Sequence, residues 1–502
     1  MSDKFYITSA IAYTNAPPHI GHLLEFLQTD VIARYHRLQG KEVFFLTGTD
    51  EHGRKNAQAA EKKGKSPKEF VDEISAKFKA LDTASNISND DFIRTTDRER
   101  HWPAVEKLWN KLKEAGDLYK ANYKGLYCVG HEAFMKPSDL KDGECPLHKQ
   151  KPEVVEEENW FFKLSKYKKE IKKRIESDDF KILPNHREKE ILNLLEDAED
   201  VSFSRPRKDL EWGIPVPDDD SQTIYVWADA LVNYISVIGY TDETENFKKL
   251  WPADVHLVGK DIARFHAIIW PAMLMSAGLP LPKSIYIHGF VNVEGEKMSK
   301  TIGNVIDPFL LLEKYGVDPI RYFLLREIPS GEDGSFSYSK LEERYKSDLA
   351  NGLGNLVQRV LTLIDSNLGG ELHFQNKFND PEVLKHIEET WKEYNFFVSK
   401  FRLHEALAQA WKMVNFANSY INSHKPWETA KNNPEHFLSV MTNITRLILN
   451  ITYLVYPFIP ESAEKIAKSF GFDVTNNEEL KSEMLESKDF IIQKGQILFP
   501  NF

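Results

Sequence analysis

The feature that most constrains this chain is a strand–helix–strand pattern at its beginning. Residues 5–13 (FYITSAIAY) and 42–50 (EVFFLTGTD) are rich in β-branched and aromatic residues, which is typical of buried strands. Between them, apolar residues recur every three or four positions and predict a helix that ends near Gly40. This order predicts a βαβ unit, which requires a parallel sheet and a right-handed crossover.

The same pattern returns past the middle of the chain. Residues 254–259 and 284–293 are predicted strands, and residues 262–278 are a predicted helix that is broken or kinked at Pro271. We therefore expect an α/β fold with one doubly wound, Rossmann-like parallel sheet. An insertion of distinct composition, roughly residues 116–215, splits that sheet in the sequence.

After about residue 341 the pattern becomes helical and stays so, which predicts an all-α helix bundle. No run of eighteen apolar residues occurs, and the first ten residues lack the build of a signal peptide, so we expect a cytoplasmic protein without a membrane span. The formal net charge of −11 disfavours a general polyanion binder. A basic stretch at residues 163–174 fits either a local phosphate-binding patch or a solvated helix face, and the second interpretation is favoured.

The segment TNAPPHIGHLLEF (14–26) lies where the first strand meets its helix. Ligands of open parallel sheets bind at the carboxyl ends of the strands, which we call the ligand edge of the sheet. A helix N-terminus at that edge suits phosphate. Gly21 has no side chain, so a purine ring can approach the backbone closely. His19 and His22 are three residues apart and can both donate hydrogen bonds to oxygens that gain negative charge. The alternative is a polar helix start with two incidental imidazoles.

A second segment, VEGEKMSKTIGN (293–304), follows the last predicted strand. Lys297 and Lys300 lie between Gly295 and Gly303, so two ammonium groups can swing over a triphosphate and neutralise a departing pyrophosphate. A lysine pair alone is more often solvated surface. The two segments together, in this order on a split sheet, favour a shared nucleotide site.

HIGH at residues 19–22 and KMSKT at residues 297–301 resemble the two signatures of class I aminoacyl-tRNA synthetases. The surrounding segments AIAYTNAPPHIGH, GTDEHG, YVWADA, GKDIARFH and HGFVNVEGEKMSK are similar to the methionyl branch, and the match covers essentially the whole chain. The resemblance implies ATP-dependent ligation of L-methionine to tRNA(Met) through a methionyl-adenylate, with release of AMP and pyrophosphate. The isoleucine, leucine and valine enzymes carry a large editing domain, for which the insertion leaves no room. The alternatives are another class I synthetase, a dinucleotide-forming nucleotidyltransferase and a degenerate tRNA-binding paralogue.

The resemblance also implies roles for individual residues. The expected catalytic residues are His19, His22, Lys297 and Lys300, acting on ATP with Mg²⁺. The expected ATP-binding residues are Gly21, Glu25, Asp261, Met298 and Ser299. The expected methionine-binding residues are Ile11, Tyr13, Asp50, Trp227, Ala230, Tyr234, Ile262 and His266, where aromatic and apolar types suit a thioether. Asp50 ends the second strand at the ligand edge and supplies an anion for the substrate ammonium, although strand-end aspartates more often form turns. Leu231 stands where many members have proline.

CVGH (128–131) and CPLH (145–148) give two knuckles that each pair a cysteine with a histidine. This spacing predicts a structural zinc site with ligands Cys128, His131, Cys145 and His148. The alternative is a buried thiol pair with two surface histidines. Four protein ligands leave no open position, so the predicted role is structural.

If the first part of the chain activates an amino acid, the helix bundle is expected to recognise the tRNA anticodon. By resemblance, the anticodon-binding residues are Asn355, Arg359, Pro426 and Trp427, where stacking and edge contacts read single-stranded bases. The chain lacks the additional dimerising domain of some relatives, so a monomer is expected. The predicted domains are a catalytic first half (1–115), the insertion (116–215), a catalytic second half (216–325), a linker and stem-contact region (326–365) and the anticodon-binding domain (366–502).

Overall fold

The computed structural model describes residues 4–128, 133–135, 137–146, 149–298, 303–475, 489–493 and 497–500. The first part of the chain alternates strands and helices: β1 (Lys4–Ser9), β2 (Ala12–Tyr13), α1 (Ile20–Leu38), β3 (Glu42–Asp50), α2 (Arg54–Lys62), α3 (Pro67–Ala84), β4 (Asp91–Arg94) and α4 (Trp102–Glu114). The next part is rich in short strands: β5 (Leu118–Cys128), β6 (Ala133–Met135), β7 (Glu153–Phe162), α5 (Lys168–Glu176), β8 (Lys181–Leu183), α6 (His186–Glu196), β9 (Val201–Ser202), β10 (Ser204–Pro206), β11 (Pro215–Val216) and β12 (Asp219–Ile224).

The alternating pattern then resumes with α7 (Val226–Ala230), α8 (Asn233–Ser236), α9 (Glu245–Leu250), β13 (Val255–Gly259), α10 (Trp270–Ser276), β14 (Ser284–His288), β15 (Val291–Val293), β16 (Glu296–Lys297), α11 (Pro308–Tyr315), α12 (Val317–Glu327), β17 (Gly334–Phe336) and α13 (Tyr338–Arg344). Where the structure describes it, the last part is helical apart from one short β-pair: α14 (Asn355–Leu368), β18 (Glu371–His373), α15 (Pro381–Ser399), α16 (Leu403–His424), α17 (Pro426–Thr429), α18 (Pro434–Val455), α19 (Pro460–Ser469) and β19 (Asp489–Ile491). Two π-helical segments, Phe265–Ile269 and Tyr345–Gly354, precede α10 and α14.

The central sheet is parallel and has the strand order β4–β3–β1–β13–β14–β8, with β2 pairing on β3 beyond the end of β1. Ile7 in the middle of β1 lies opposite Phe45 on one side and Val255 on the other. The chain moves outward from β1 through β3 and β4, and later outward in the other direction through β13 and β14. This reversal between β1 and β13 is the point at which open α/β sheets bind ligands. The predicted doubly wound sheet is confirmed.

Two predicted strands are interrupted. The first breaks at Ala10, whose backbone N–H donates to both Leu257 O (3.0 Å) and Glu25 Oε1 (2.7 Å). The last divides at residues 289–290, after which β15 leaves the central sheet and pairs with β16 and β17. Both breaks lie at the ligand edge of the sheet, where the backbone turns away to form the site.

The interval predicted as an insertion contains the small sheet β6–β5–β7–β9 and part of a second one, β10–β12–β11, whose middle strand β12 lies beyond residue 215. It also supplies β8, which pairs in parallel with β14 and forms one edge of the central sheet. Three of the seven cations in the basic stretch 163–174 are paired with carboxylates: Lys166 contacts Asp117, Lys172 contacts Glu196 and Arg174 contacts Glu170. These contacts favour the solvated helix face over a phosphate-binding patch.

The helix bundle packs around α18. Within the described residues, α18 is the one helix long and apolar enough to cross a membrane, but 89% of its apolar stretch is buried by the rest of the bundle. Its composition is that of a core helix surrounded by other helices.

One buried arginine joins the bundle to the sheet. Arg321 on α12 donates to Asp30 Oδ2 (2.6 Å) on α1, to the carbonyls of Pro457 and Phe458 (3.0 and 2.8 Å) and to that of Ser85 (3.1 Å). The guanidinium is fully buried, and its donors are matched by one carboxylate and by carbonyls from two other parts of the chain. The helix that begins at the HIGH segment is therefore held against the bundle.

Candidate active site

The HIGH segment forms the start of α1 and caps it with its own side chains. His19 Nδ1 accepts from the Gly21 backbone N–H (3.1 Å), and His22 Nδ1 accepts from the His19 backbone N–H (3.2 Å). A backbone N–H can only donate, so both Nδ1 atoms act as acceptors and Nε2 carries the proton of each ring. The rings stack at a centroid distance of 3.9 Å. The two imidazoles are thus fixed in one tautomer and one orientation.

A cleft of about 480 Å³ opens beside these histidines at the ligand edge of the sheet. Its volume suits a small-molecule substrate or cofactor. Fourteen of the residues predicted from the sequence line it: Ile11, Tyr13, His19, Gly21, His22, Glu25, Asp50, Trp227, Ala230, Tyr234, Asp261, Ile262, His266 and Met298. Segments that are distant in sequence therefore meet around one cavity.

Two buried polar side chains, His266 and Tyr234, form a hydrogen-bonded pair on the apolar side of the cleft. His266 Nδ1 donates to the Ile262 carbonyl (3.0 Å), and burial lowers the pKa of His266 to about 4. The ring is therefore neutral, and its Nε2 accepts from the Tyr234 hydroxyl at 2.7 Å. Burial also raises the pKa of Tyr234, which keeps that hydroxyl protonated. Trp227 stacks flat on Phe265, with 3.9 Å between ring centroids.

His288, at the end of β14, lines the cleft but was not among the predicted site residues. Its Nδ1 donates to the Gly289 carbonyl (2.8 Å), and its Nε2 donates to Glu25 Oε2 (2.9 Å). Burial acts to lower the pKa of His288, but Glu25, the Gly289 carbonyl and the nearby Asp261 outweigh it and hold that pKa above its ordinary value. Both ring nitrogens face acceptors, so His288 is an imidazolium paired with the Glu25 carboxylate.

The second motif approaches the first. A Cβ placed on Gly21 would lie 3.6 Å from Cε of Met298, and the Ile20 backbone N–H donates to the carbonyl of Ile306 (3.3 Å). The backbone of Lys297 belongs to β16, opposite Asn292. Ser299 and Lys300 lie outside the described residues. Met298, at the described start of the KMSKT segment, and Ile306, a few residues beyond it, therefore both lie beside the start of α1.

Three of the predicted anticodon residues lie close together at one end of the bundle. Arg359 Nη2 donates to Asn422 Oδ1 (2.9 Å), and its guanidinium carbon lies 5.3 Å from the ring centroid of Trp427. Trp427 is 46% exposed, which is unusual for a residue that serves to pack a bundle end. Pro426 occupies the first turn of α17 and is buried, and Asn355 is exposed at the start of α14.

The predicted zinc ligands are described in part. Cys128 and Cys145 are both buried and form no disulfide, whereas His131 and His148 lie outside the described residues. In the part of the chain that the structure describes, no three His, Cys, Asp or Glu side chains gather as a metal ion requires. The zinc site therefore stays a prediction.

Comparison with known proteins shows the family to which this chain belongs. A family model described as tRNA synthetases class I (M) matches residues 5–146 and 132–361, and one described as the anticodon-binding domain of tRNA ligase matches residues 380–496. The chain belongs to the methionine group of class I tRNA synthetases. Methionine–tRNA ligase of Thermotoga maritima is 45% identical over 479 residues, which cover 94% of this chain and 76% of that relative. The Brucella suis ligase is 44% identical over 471 residues, covering 92% and 91%.

Solved structures of this group have the same fold. Mycobacterium tuberculosis methionyl-tRNA synthetase in complex with methionyl-adenylate superposes with a TM-score of 0.94 at 38% identity, covering 99% of this chain and 100% of that chain. Its apo form superposes with a TM-score of 0.87 at 35% identity, covering 100% and 99%. The predicted class I synthetase fold is confirmed.

Proposed function

We propose that this chain is a methionine–tRNA ligase, which joins L-methionine to tRNA(Met) through a methionyl-adenylate at the expense of ATP. One observation carries the proposal. In a member of this family, all eight residues expected to bind methionine and four of the five expected to bind ATP line a single cleft at the switch point of the sheet. A dinucleotide-forming transferase is disfavoured by the match of the helix bundle to an anticodon-binding domain.

In this proposal methionine occupies the apolar side of the cleft. The neutral His266–Tyr234 pair and Trp227 provide uncharged, polarisable walls for a thioether. Asp50 supplies the anion for the substrate ammonium, with Ile11, Tyr13, Ala230 and Ile262 completing the pocket. Leu231, where many relatives have proline, also lines it.

The substrate Mg–ATP lies against the start of α1. Gly21 leaves room for the purine, and Asp261 and Glu25 are the nearby carboxylates, Glu25 being held in place by His288. Met298 lines the cleft close to Gly21, and Ser299 is part of the proposal from its place in the sequence alone. The methionine carboxylate attacks the α-phosphorus in line while the Nε2–H groups of His19 and His22 stabilise the charge that develops.

Lys297 and Lys300 neutralise the departing pyrophosphate, which Mg²⁺ accompanies. The terminal ribose hydroxyl of the tRNA then attacks the acyl carbon of the adenylate, the acyl–phosphate bond breaks and AMP leaves. No side-chain nucleophile is needed, because the cleft supplies binding, orientation and charge stabilisation.

The bundle is proposed to recognise the anticodon. The exposed Trp427 offers a stacking surface, with Pro426 next to it and the Arg359 guanidinium 5.3 Å from its ring centroid. Asn355, exposed at the start of α14, is included in the proposal by its place in the sequence motif. A structural zinc ion held by Cys128, His131, Cys145 and His148 is part of the proposal, supported by two buried cysteines that are not joined in a disulfide. The cytoplasmic location, the monomeric state and the domain boundaries given above stay predictions.

The test is pyrophosphate exchange into ATP with each of the twenty amino acids, followed by charging of tRNA(Met). We expect exchange with methionine at a rate far above that with the other nineteen. Exchange driven by another amino acid indicates a different class I synthetase, and the absence of all exchange with retained tRNA binding indicates a degenerate paralogue.

A further inference from the structure

A continuous line of buried hydrogen-bonded groups connects segments that carry residues of the methionine side of the cleft. His52 Nδ1 and His101 Nε2 each lie 2.7 Å from a different oxygen of Asp229. His101 Nδ1 lies 3.1 Å from Ser236 Oγ. None of the four side chains belongs to a residue more than 4% exposed. We call His52, Asp229, His101 and Ser236 the buried chain.

The buried chain is connected to the cleft through the backbone. Three of its members follow a cleft-lining residue by two positions: His52 follows Asp50, Asp229 follows Trp227 and Ser236 follows Tyr234. These pairs belong to the end of β3, to α7 and to α8. His101, just before α4, has no neighbour in the cleft and bridges α7 to α8. Three segments that present pocket residues are therefore tied together from behind.

The Asp229 carboxylate is the centre of this arrangement. Burial acts to raise the pKa of Asp229, but His52 and His101 outweigh it and hold that pKa below its ordinary value. An ionised carboxylate accepts from both imidazole N–H groups, and such charge-assisted bonds are strong where water is excluded. An amide in the same place offers one acceptor oxygen for two donors, so one bond is lost or one ring changes tautomer.

We propose that Asp229, His52 and His101 are positioning residues that set the spacing between Asp50 on one side of the methionine pocket and Trp227 and Tyr234 on the other. They touch no substrate and act through the segments that carry the pocket. The inference rests on the proposed function and deepens it, because it assigns the geometry of the amino-acid pocket to groups outside that pocket.

The experiment compares Asp229→Asn and His101→Gln with the wild type, as full chains, in pyrophosphate exchange with methionine and ATP varied separately. We expect KM for methionine to rise roughly tenfold, the equivalent of one strong polar contact, and KM for ATP to stay within about twofold. Discrimination between methionine and norleucine, an unbranched analogue without sulfur, should fall about fivefold, because the pocket walls are no longer held at one spacing.

Asp117→Asn is the matched control. Asp117 is a buried carboxylate that accepts from Lys166 and Ser276 (both 2.7 Å), and none of these three residues lines the cleft. It should leave both KM values unchanged, even where it lowers the melting temperature as much as Asp229→Asn does.

A folded Asp229→Asn protein with a methionine KM within twofold of wild type overturns the inference, and so do equal rises in both KM values. If Asp229→Asn does not fold, His101→Gln decides by the same criteria. The wild-type measurement tests the proposed function by itself, whereas the ratio of variant to wild type tests the positioning role.

Discussion

Substituting Gly21 by alanine should separate catalysis from stability at a single position. The new Cβ would lie 2.9 Å from Cε1 and 3.0 Å from Nδ1 of His19, well inside the optimal separation of about 3.5–4.0 Å between non-bonded carbon atoms. The His19 ring must therefore recede by roughly half an ångström or more. Because this ring stacks on that of His22 and accepts the Gly21 N–H, both imidazoles move away from their fixed positions.

The expected loss follows from that displacement. A misplacement of about 1 Å costs on the order of 100-fold in rate, so a shift of about half that size predicts a 10- to 100-fold lower kcat, or about 1.4–2.7 kcal/mol. KM for methionine should change less than about threefold, because Gly21 lies on the ATP side of the proposed site. Pyrophosphate exchange with each substrate varied measures both values.

The free energy of unfolding should rise slightly or stay unchanged in Gly21→Ala, although its kcat falls. Gly21 is helical, and alanine in a helix is favoured over glycine by about 1 kcal/mol, which offsets the crowding. Gly352→Ala is the control, since its Cβ would lie 3.2 Å from the Ser347 carbonyl in the bundle, away from the cleft. A Gly21→Ala protein with kcat within threefold of wild type refutes the catalytic placement of the two histidines, and a low kcat caused by unfolding is excluded by thermal denaturation.

Four further outcomes are expected. Trp427→Ala should lower kcat/KM for tRNA charging about 10- to 100-fold by removing a stacking contact of about 1–3 kcal/mol, and should leave pyrophosphate exchange unchanged; a parallel loss in exchange contradicts an anticodon role. Burial raises the pKa of Asp82 to about 8, with Asp30 adding to the effect. The native state therefore holds a proton that the unfolded chain releases near pH 4, so stability falls as the pH rises from about 4 to 8, and Asp82→Asn should flatten this dependence in melting curves at pH 5 and pH 8. Elemental analysis should find one zinc per chain, and Cys145→Ser should abolish it; zinc-free wild type would contradict the knuckle. His288→Gln should raise KM for ATP about tenfold with little change for methionine, since it removes the cationic partner of Glu25; equal changes for both substrates would contradict this placement.

The fold was predictable because each βαβ unit carries its own pattern. The strand predicted at residues 42–50 matches β3 residue by residue, and the irregularity predicted at Pro271 is present as a π-helical segment followed by α10. The breaks at Ala10 and at residues 289–290 were not predictable from periodicity. They depend on hydrogen bonds between segments distant in sequence, and apolar residues continue on both sides of each break.

In the candidate site, too, the residues predicted from the sequence lie in local motifs, and the missed ones depend on distant contacts. Residues within the two motifs, such as His19 and Met298, were identified from local sequence and line the cleft. His288 was missed because it lies within a run of residues that reads as one continuous strand, and its role depends on a carboxylate 263 positions away. The short strand β8 was missed for a related reason, since three residues carry too little pattern to predict their pairing with β14.

The pairing of β1 with β13 has a consequence for how the chain acquires its structure during synthesis. Thr8 and His256 are neighbours across that pair and are separated by 248 residues. Translation adds about 5–20 residues per second. The edge of β1 that pairs with β13 is therefore synthesised on the order of ten to fifty seconds before β13. Throughout that interval this edge of β1 lacks its native neighbour, and an unpaired apolar strand edge is the kind of surface through which nascent chains associate.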